Sequence, residues 1–147
     1  IRDKLNPLTK VTSFALNTTR VNQTNDKGRS YWDAYSGSDC GALFGYENGL
    51  EKTYRITVPT AGTLTATITN QRPTNPDAYG ELDLILLRGG GSANTLNERA
   101  VQCSTWDENY NEAIPATHLT PGTYYLVVDS YDGVTGKFDL TVNFAPD

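Results

Sequence analysis

Residues 120–144 read TPGTYYLVVDSYDGVTGKFDLTVNF, two runs of strand-forming residues joined by an acidic segment containing glycine. From Lys137 the alternation is strict: Phe138, Leu140, Val142 and Phe144 point one way, and Asp139, Thr141 and Asn143 the other. A period of two marks a strand with one buried and one wet face. In the upstream run Tyr124, Leu126 and Val128 line one face and Tyr125, Val127 and Asp129 the other, so both faces are expected to be covered. Pro121-Gly122 starts that run, while Asp132-Gly133 and Gly136 accept left-handed backbone angles. The segment reads as a β-hairpin. Asp129 continues a strand and Asp132 opens a turn, so geometry alone accounts for both acids.

The same pattern recurs upstream. TYRITV (53–58) alternates Tyr54, Ile56 and Val58 against Arg55 and Thr57, and TLTATIT (63–69) sets Leu64, Ala66 and Ile68 against four threonines. With the Pro59–Gly62 turn between them, these read as a second hairpin. LDLILL (82–87) is apolar on both faces and is expected to be a central strand. RAVQCS (99–104) reads as a strand, with GGGSANTLN (89–97) the loop before it. EAIPATHL (112–119) is placed near an edge, because Pro115 has no N–H for a ladder. KVTSFALN (10–17) alternates more weakly. Helical periodicity is nearly absent, and about eight short strands punctuated by turn residues indicate an all-β chain, an antiparallel β-sandwich. Residues 18–49 show no clear strand but carry Tyr31, Trp32, Tyr35, Phe44 and Tyr46. They read as irregular strands or as a functional surface loop pinned at Cys40.

Length and composition limit what such a chain does. Its 147 residues suit one domain spanning 1–147. A net charge of −5 with scattered basic residues argues against nucleic-acid binding. No apolar run approaches the roughly 20 residues that cross a bilayer. There is no signal peptide and no methionine, so a mature piece or excised domain of a longer precursor is expected. Cys40 and Cys103 form no CxxC pair, and the single histidine, His118, leaves a zinc site short of ligands. Two buried thiols or a structural disulfide remain; the Thr-, Asn-, Gly- and Tyr-rich composition favours the disulfide and a secreted or cell-surface location.

Three segments in order, KTYRITVPTAGTLTATIT, ELDLILLRGG and LTPGTYYLVVDSYDGVTGKFDLTVNF, resemble the bacterial pre-peptidase C-terminal domain family. These are accessory β-sandwiches found beside secreted proteases and other extracellular enzymes. The family pattern runs Tyr-x-Phe-x-Val-Pro-x-Gly, Asp-Leu-Asp-Leu-x-Leu, and Pro-x-Gly-Thr-Tyr-Tyr-x-x-Val, and the likeness covers residues 50–144. The resemblance implies a jelly-roll-like, non-catalytic module. Some relatives bind calcium through an acidic N-terminal segment, but NPLTKVTSFALNTT here holds no Asp or Glu. Glu81 stands where relatives often carry Asp, while Asp83 is retained. The calcium ligands therefore do not carry over. Oxygen-rich stretches elsewhere leave Asp26, Asp107, Asp129 and Asp132 as calcium candidates, with Asx turns the plainer reading of each.

Catalysis finds little support. A Ser-His-Asp site would have to use His118, no Gly-x-Ser-x-Gly elbow is present, and GGGSAN lacks the lysine and helix of a phosphate loop. Seventeen acids permit no particular glycosidase pair to be singled out. The chain reads as a non-enzymatic module without a required cofactor. Its partner is expected to be an extracellular polymer, polysaccharide or fibrous protein, together with neighbouring domains of the precursor. Trp32 and Tyr35 lie in one polar loop and Trp106 and Tyr110 in another; a Cys40–Cys103 bond would draw both to one end as a binding patch. The alternative is that the tryptophans plug the core and the module is structural, maturational or adhesive.

Overall fold

The computed structural model describes residues 7–28, 30–37, 40–44, 46, 49–74, 82–105, 111–130 and 133–147. Among them run eleven strands, more than the eight expected: β1 (Thr12–Ser13), β2 (Thr18–Thr24), β3 (Ala34–Gly37), β4 (Gly41–Phe44), β5 (Lys52–Val58), β6 (Gly62–Pro73), β7 (Leu82–Arg88), β8 (Ala100–Ser104), β9 (Glu112–Leu119), β10 (Gly122–Ser130) and β11 (Gly136–Pro146). Short 3₁₀ turns cover Pro7–Lys10 and Ala93–Glu98. A seven-stranded sheet, ordered β1-β5-β10-β7-β8-β3-β4, packs on a four-stranded sheet, β2-β11-β6-β9. This is the antiparallel-rich sandwich that the alternation predicts.

Neither expected hairpin forms. β10 pairs with β5 and β7, whereas β11 pairs with β2 and β6. β5 and β6 likewise lie in different sheets. Each short connection carries the chain across the sandwich instead of back along the same sheet. Tyr124, Leu126 and Val128 of β10 and Phe138, Leu140, Val142 and Phe144 of β11 share one core. The inward rows of β5 and β6 join them there. Alternation reveals which side chains are buried but not which strand lies alongside. Each enclosed Leu, Ile, Val or Phe contributes about 1.5–3 kcal/mol relative to exposure, so facing rows decide the arrangement.

β7 is the fourth of seven strands, central as expected, and β9 lies at an edge, as Pro115 requires. Leu82, Leu84 and Leu86 face the inner core, while Ile85 and Leu87 join a second apolar cluster on the outer side of the seven-stranded sheet. Tyr125 and Val127 of β10 belong to the same outer cluster. The segment without a clear strand supplies its cover: Tyr31, Trp32, Tyr35 and Tyr46. That segment also holds β2, β3 and β4, the irregular strands that were one of its two readings; the sequence did not delimit them because β2 is an edge strand of mostly polar residues and the other two have only four residues each. The stretch 10–17 forms only the two-residue β1, parallel to β5, with Phe14 inserted in the inner core edge-on to Tyr54. The loop at 89–97 contains the second 3₁₀ turn, started by Ser92, whose hydroxyl accepts from the Asn94 N–H at 3.2 Å; Leu96 packs in the outer cluster.

Cys40 and Cys103 are joined, with Cα atoms 5.6 Å apart, and tie the entry of β4 to β8. Beside this bridge Gly37 of β3 pairs in parallel with Ala100 of β8. A Cβ at Gly37 would run into the Ala100 backbone carbonyl. Gly37→Ala is therefore expected to destabilise the chain by about 1–3 kcal/mol, read as a lower urea midpoint. An unchanged midpoint would show that β3 is not held against β8.

Candidate functional site

The aromatic cover is continuous. Ring centroids lie 6.1 Å apart for Tyr31–Trp32, 6.0 Å for Trp32–Tyr35 and 5.3 Å for Tyr35–Tyr46, tilted or edge-to-face throughout. Trp32 and Tyr35 are each only 1% exposed. These two expected ligand-binding residues lie inside the cover, in the plugging position. The cause is the outer face below: Ile85, Leu87, Tyr125 and Val127 must be shielded from water, and a polar loop has only its aromatics to do it. Trp106, Asp107, Tyr110 and Asp132 lie outside the described residues.

Beneath the rings sits a polar network. Asp83 of β7 and Asp129 of β10 are direct cross-strand neighbours, both buried. The Tyr46 hydroxyl donates to Asp83 Oδ2 at 2.8 Å, and the Tyr35 hydroxyl donates to Asp129 Oδ2. Asp129 Oδ1 accepts from the Ser130 N–H at 2.8 Å. Glu51, just before β5, accepts from the Tyr31 N–H at 2.8 Å. Burial, and then the charge of Asp129, pushes Glu51 up to about 10. Burial likewise pushes Asp129 up to about 8 against the hydrogen bonds it receives. The two carboxyls thus retain at least one proton between them at neutral pH. Burial and then the adjoining carboxylates raise both tyrosines above the ordinary phenol value, so each hydroxyl remains a donor.

Enclosed this way, the carboxyls serve as anchors. Two tyrosines of the cover, Tyr35 and Tyr46, are thereby pinned to two adjacent central strands. Glu51 was not singled out from the sequence, Asp83 was noted only as a retained position of the family pattern, and Tyr46 only as one aromatic of the 18–49 segment. Asp83 and Asp129 did leave a signal there: each is a charged residue in the apolar outer row of a strand covered on both sides, and a buried charge requires partners.

The two described calcium candidates, Asp26 and Asp129, lie in different surroundings. Asp26 is exposed in the turn after β2, where its N–H donates to Thr24 Oγ1 at 3.1 Å. Asp129 does not fit a calcium site, because tyrosine and backbone donors occupy its carboxyl and burial favours a proton on it. Among the described residues no group of three or more His, Cys, Asp or Glu is placed to hold a metal. His118 sits on the edge strand β9, its Nε2 2.7 Å from Asp147 Oδ2, each side chain 57% exposed. No described helix is long and apolar enough to cross a membrane.

A jelly-roll-like β-sandwich with a closed tyrosine–carboxyl anchor and one disulfide defines a compact β module. The chain belongs to the bacterial pre-peptidase C-terminal domain family, whose pattern matches residues 50–130, more than half of its length. The match runs from the residue before Glu51 to the end of β10. Among solved structures the chain resembles the pre-peptidase C-terminal domain of collagenase from Bacillus anthracis, at 16% identity and a TM-score of 0.53, over 90% of this chain and 94% of that one. It also resembles PliG of Aeromonas hydrophila, a periplasmic inhibitor of g-type lysozyme. There the identity is 12% and the TM-score 0.45, over 92% of this chain and 98% of the other. No curated protein matches the chain.

Proposed function

We propose that the chain is a single-domain, non-catalytic accessory module of a secreted bacterial protein, and that it binds an extracellular polymer, a polysaccharide or a fibrous protein. Membership of a family of accessory β-sandwiches carries this reading. The disulfide is consistent with an oxidising compartment, and the likeness to a domain of a collagenase agrees with a polymer-degrading parent. Trp106 and Tyr110 are the aromatic residues assigned to ligand contact. In sequence they follow closely on β8, the strand bridged to Cys40.

Co-sedimentation with insoluble cellulose, chitin and collagen fibres tests the proposal. The wild-type chain is expected to bind at least one, and Trp106→Ala with Tyr110→Ala to lose about tenfold in affinity. Equal retention of wild type and double variant would remove those residues from the site. A second reading is favoured by the interior placement of Trp32 and Tyr35: a structural, maturational or adhesive module whose aromatics serve stability alone. Failure of the wild type to bind any of the three polymers would support it.

A further inference from the structure

Three of the chain's five lysines meet at one small cavity. Lys10 ends the first 3₁₀ turn, Lys27 lies in the turn after β2, and Lys52 opens β5. Such convergence is unexpected in a chain of net charge −5 whose basic residues are scattered along the sequence. Lys52 is half-buried; its Nζ donates to Thr12 Oγ1 at 2.7 Å and lies 5.4 Å from the Tyr54 ring centroid. Burial, and then the charges of Arg20 and Lys10, pushes its pKa down, so of the cavity's other lysines Lys10 acts on it directly. Lys10 and Lys27 have no ion-pair or hydrogen-bond partner among the described residues. Among the described residues the one acid in the wall is Glu51, which is buried, engaged by Tyr31 and held towards its neutral form, so it offers little counter-charge.

The site is also firmly built. Asn25 is fully buried, its Nδ2 donating to the Leu50 carbonyl at 2.9 Å and the Val134 carbonyl at 3.0 Å, while its Oδ1 accepts from the Gly136 N–H at 2.9 Å. The Gly28 N–H in turn donates to the Asn25 carbonyl. A Cβ at Gly28 would strike the Glu51 carbonyl, so only glycine lets this turn lie so close to the lead into β5. Lys27 is thereby presented from an anchored turn. The cavity measures about 40 Å³. That is room for about three waters, enough for one small oxyanion and too little for a sugar ring.

We propose that this lysine-lined cavity is an anion site that takes one carboxylate or sulfate group projecting from a polysaccharide. The identity of the ligand rests on the polymer-binding reading above; the anion site itself does not. Lysine ammonium groups act as compact charges without a forked geometry, so either oxyanion satisfies them. An acidic polypeptide would also bring backbone amides that need partners, and β1 already pairs with Tyr54 and Arg55 on that edge of β5, just beyond the cavity. A glycan makes no such demand. The chain's overall negative charge opposes a polyanion only over distance, and it is screened beyond about 8–10 Å at physiological salt.

The test has two arms, both on the full chain. In the first, lysine side-chain NMR signals are followed during titration with glucuronate, a sulfated glucose and neutral glucose. Saturable shifts at Lys10, Lys27 and Lys52 are expected with the two charged sugars, which also distinguishes carboxylate from sulfate. In the second, affinity electrophoresis compares polygalacturonate, dextran sulfate, neutral dextran and polyglutamate. Retardation is expected in the first two gels, weakening as salt rises. Lys10→Gln with Lys27→Gln changes two exposed side chains and is expected to keep the melting temperature while reducing retardation about tenfold. Equal shifts with neutral glucose, or equal retardation of the lysine variant, would overturn the site. Retardation by polyglutamate alone would overturn the polysaccharide ligand. Shifts with charged sugars but no retention on any polymer would uphold the site and sink the polymer-binding reading.

Discussion

Replacing both Cys40 and Cys103 by serine is expected to lower the unfolding free energy by about 4 kcal/mol, seen as an earlier urea midpoint. The bridge spans 63 residues of sequence, so its loss returns a large amount of freedom to the unfolded chain. Its effect should concentrate on the aromatic cover. Without it, β3 and β4 are held to their neighbours, among the described residues, by the Gly37–Ala100 pairing, the Asn97 Nδ2 bond to the Ala34 carbonyl at 2.7 Å, the Tyr35–Asp129 bond and the packing of Tyr35 and Leu43 in the outer cluster. Hydrogen exchange is expected to rise first in β3 and β4, before the inner core opens. A midpoint unmoved by the double substitution, or exchange that rises equally everywhere, would contradict this account.

Alkaline pH should weaken the fold through Asp129 and Glu51. An acid whose pKa is higher in the folded chain than in the unfolded one stabilises the fold fully below its unfolded value. That contribution is lost as pH climbs towards the folded value. Asp129 is raised from 3.8 to about 8 and Glu51 from 4.5 to about 10, each chiefly by burial. From about pH 5 upwards, stability is therefore expected to fall by about 1.4 kcal/mol per pH unit for each proton the pair retains. Tyr35 and Tyr46 stay neutral over this range and keep donating, and Asp83 faces the same pocket from β7. Glu51→Gln preserves an oxygen for the Tyr31 N–H and removes one titrating group, so its stability curve should be markedly flatter. Melting temperatures of both proteins between about pH 5 and pH 9 decide the matter. A flat wild-type curve would mean the carboxyls are not enclosed as described.

Much of this architecture was readable before any coordinates. Strict alternation in β11, two apolar faces on β7 and Pro115 in an edge strand each follow from local physics, and each is found. Pairing was not readable, because Phe138 and Leu140 look the same whether β11 lies beside β10 or opposite it. What separates the two is the core-wide match of Tyr124, Leu126 and Val128 against those residues, a property of the assembled layers. The site was harder still. Trp32 and Tyr35 sit in a polar loop that looks exposed, and only the uncovered outer face of β7 and β10 draws them inside. Lys10, Lys27 and Lys52 lie far apart in sequence, and no local pattern could bring them together.

The two strands latest in chain order are interior members of their sheets, β10 between β5 and β7 and β11 between β2 and β6. A nascent polypeptide that has not yet emerged past residue 122 lacks the shared neighbour each half needs. Neither layer can close by adding pieces from the front. Assembly of both layers must wait for the final strands to emerge.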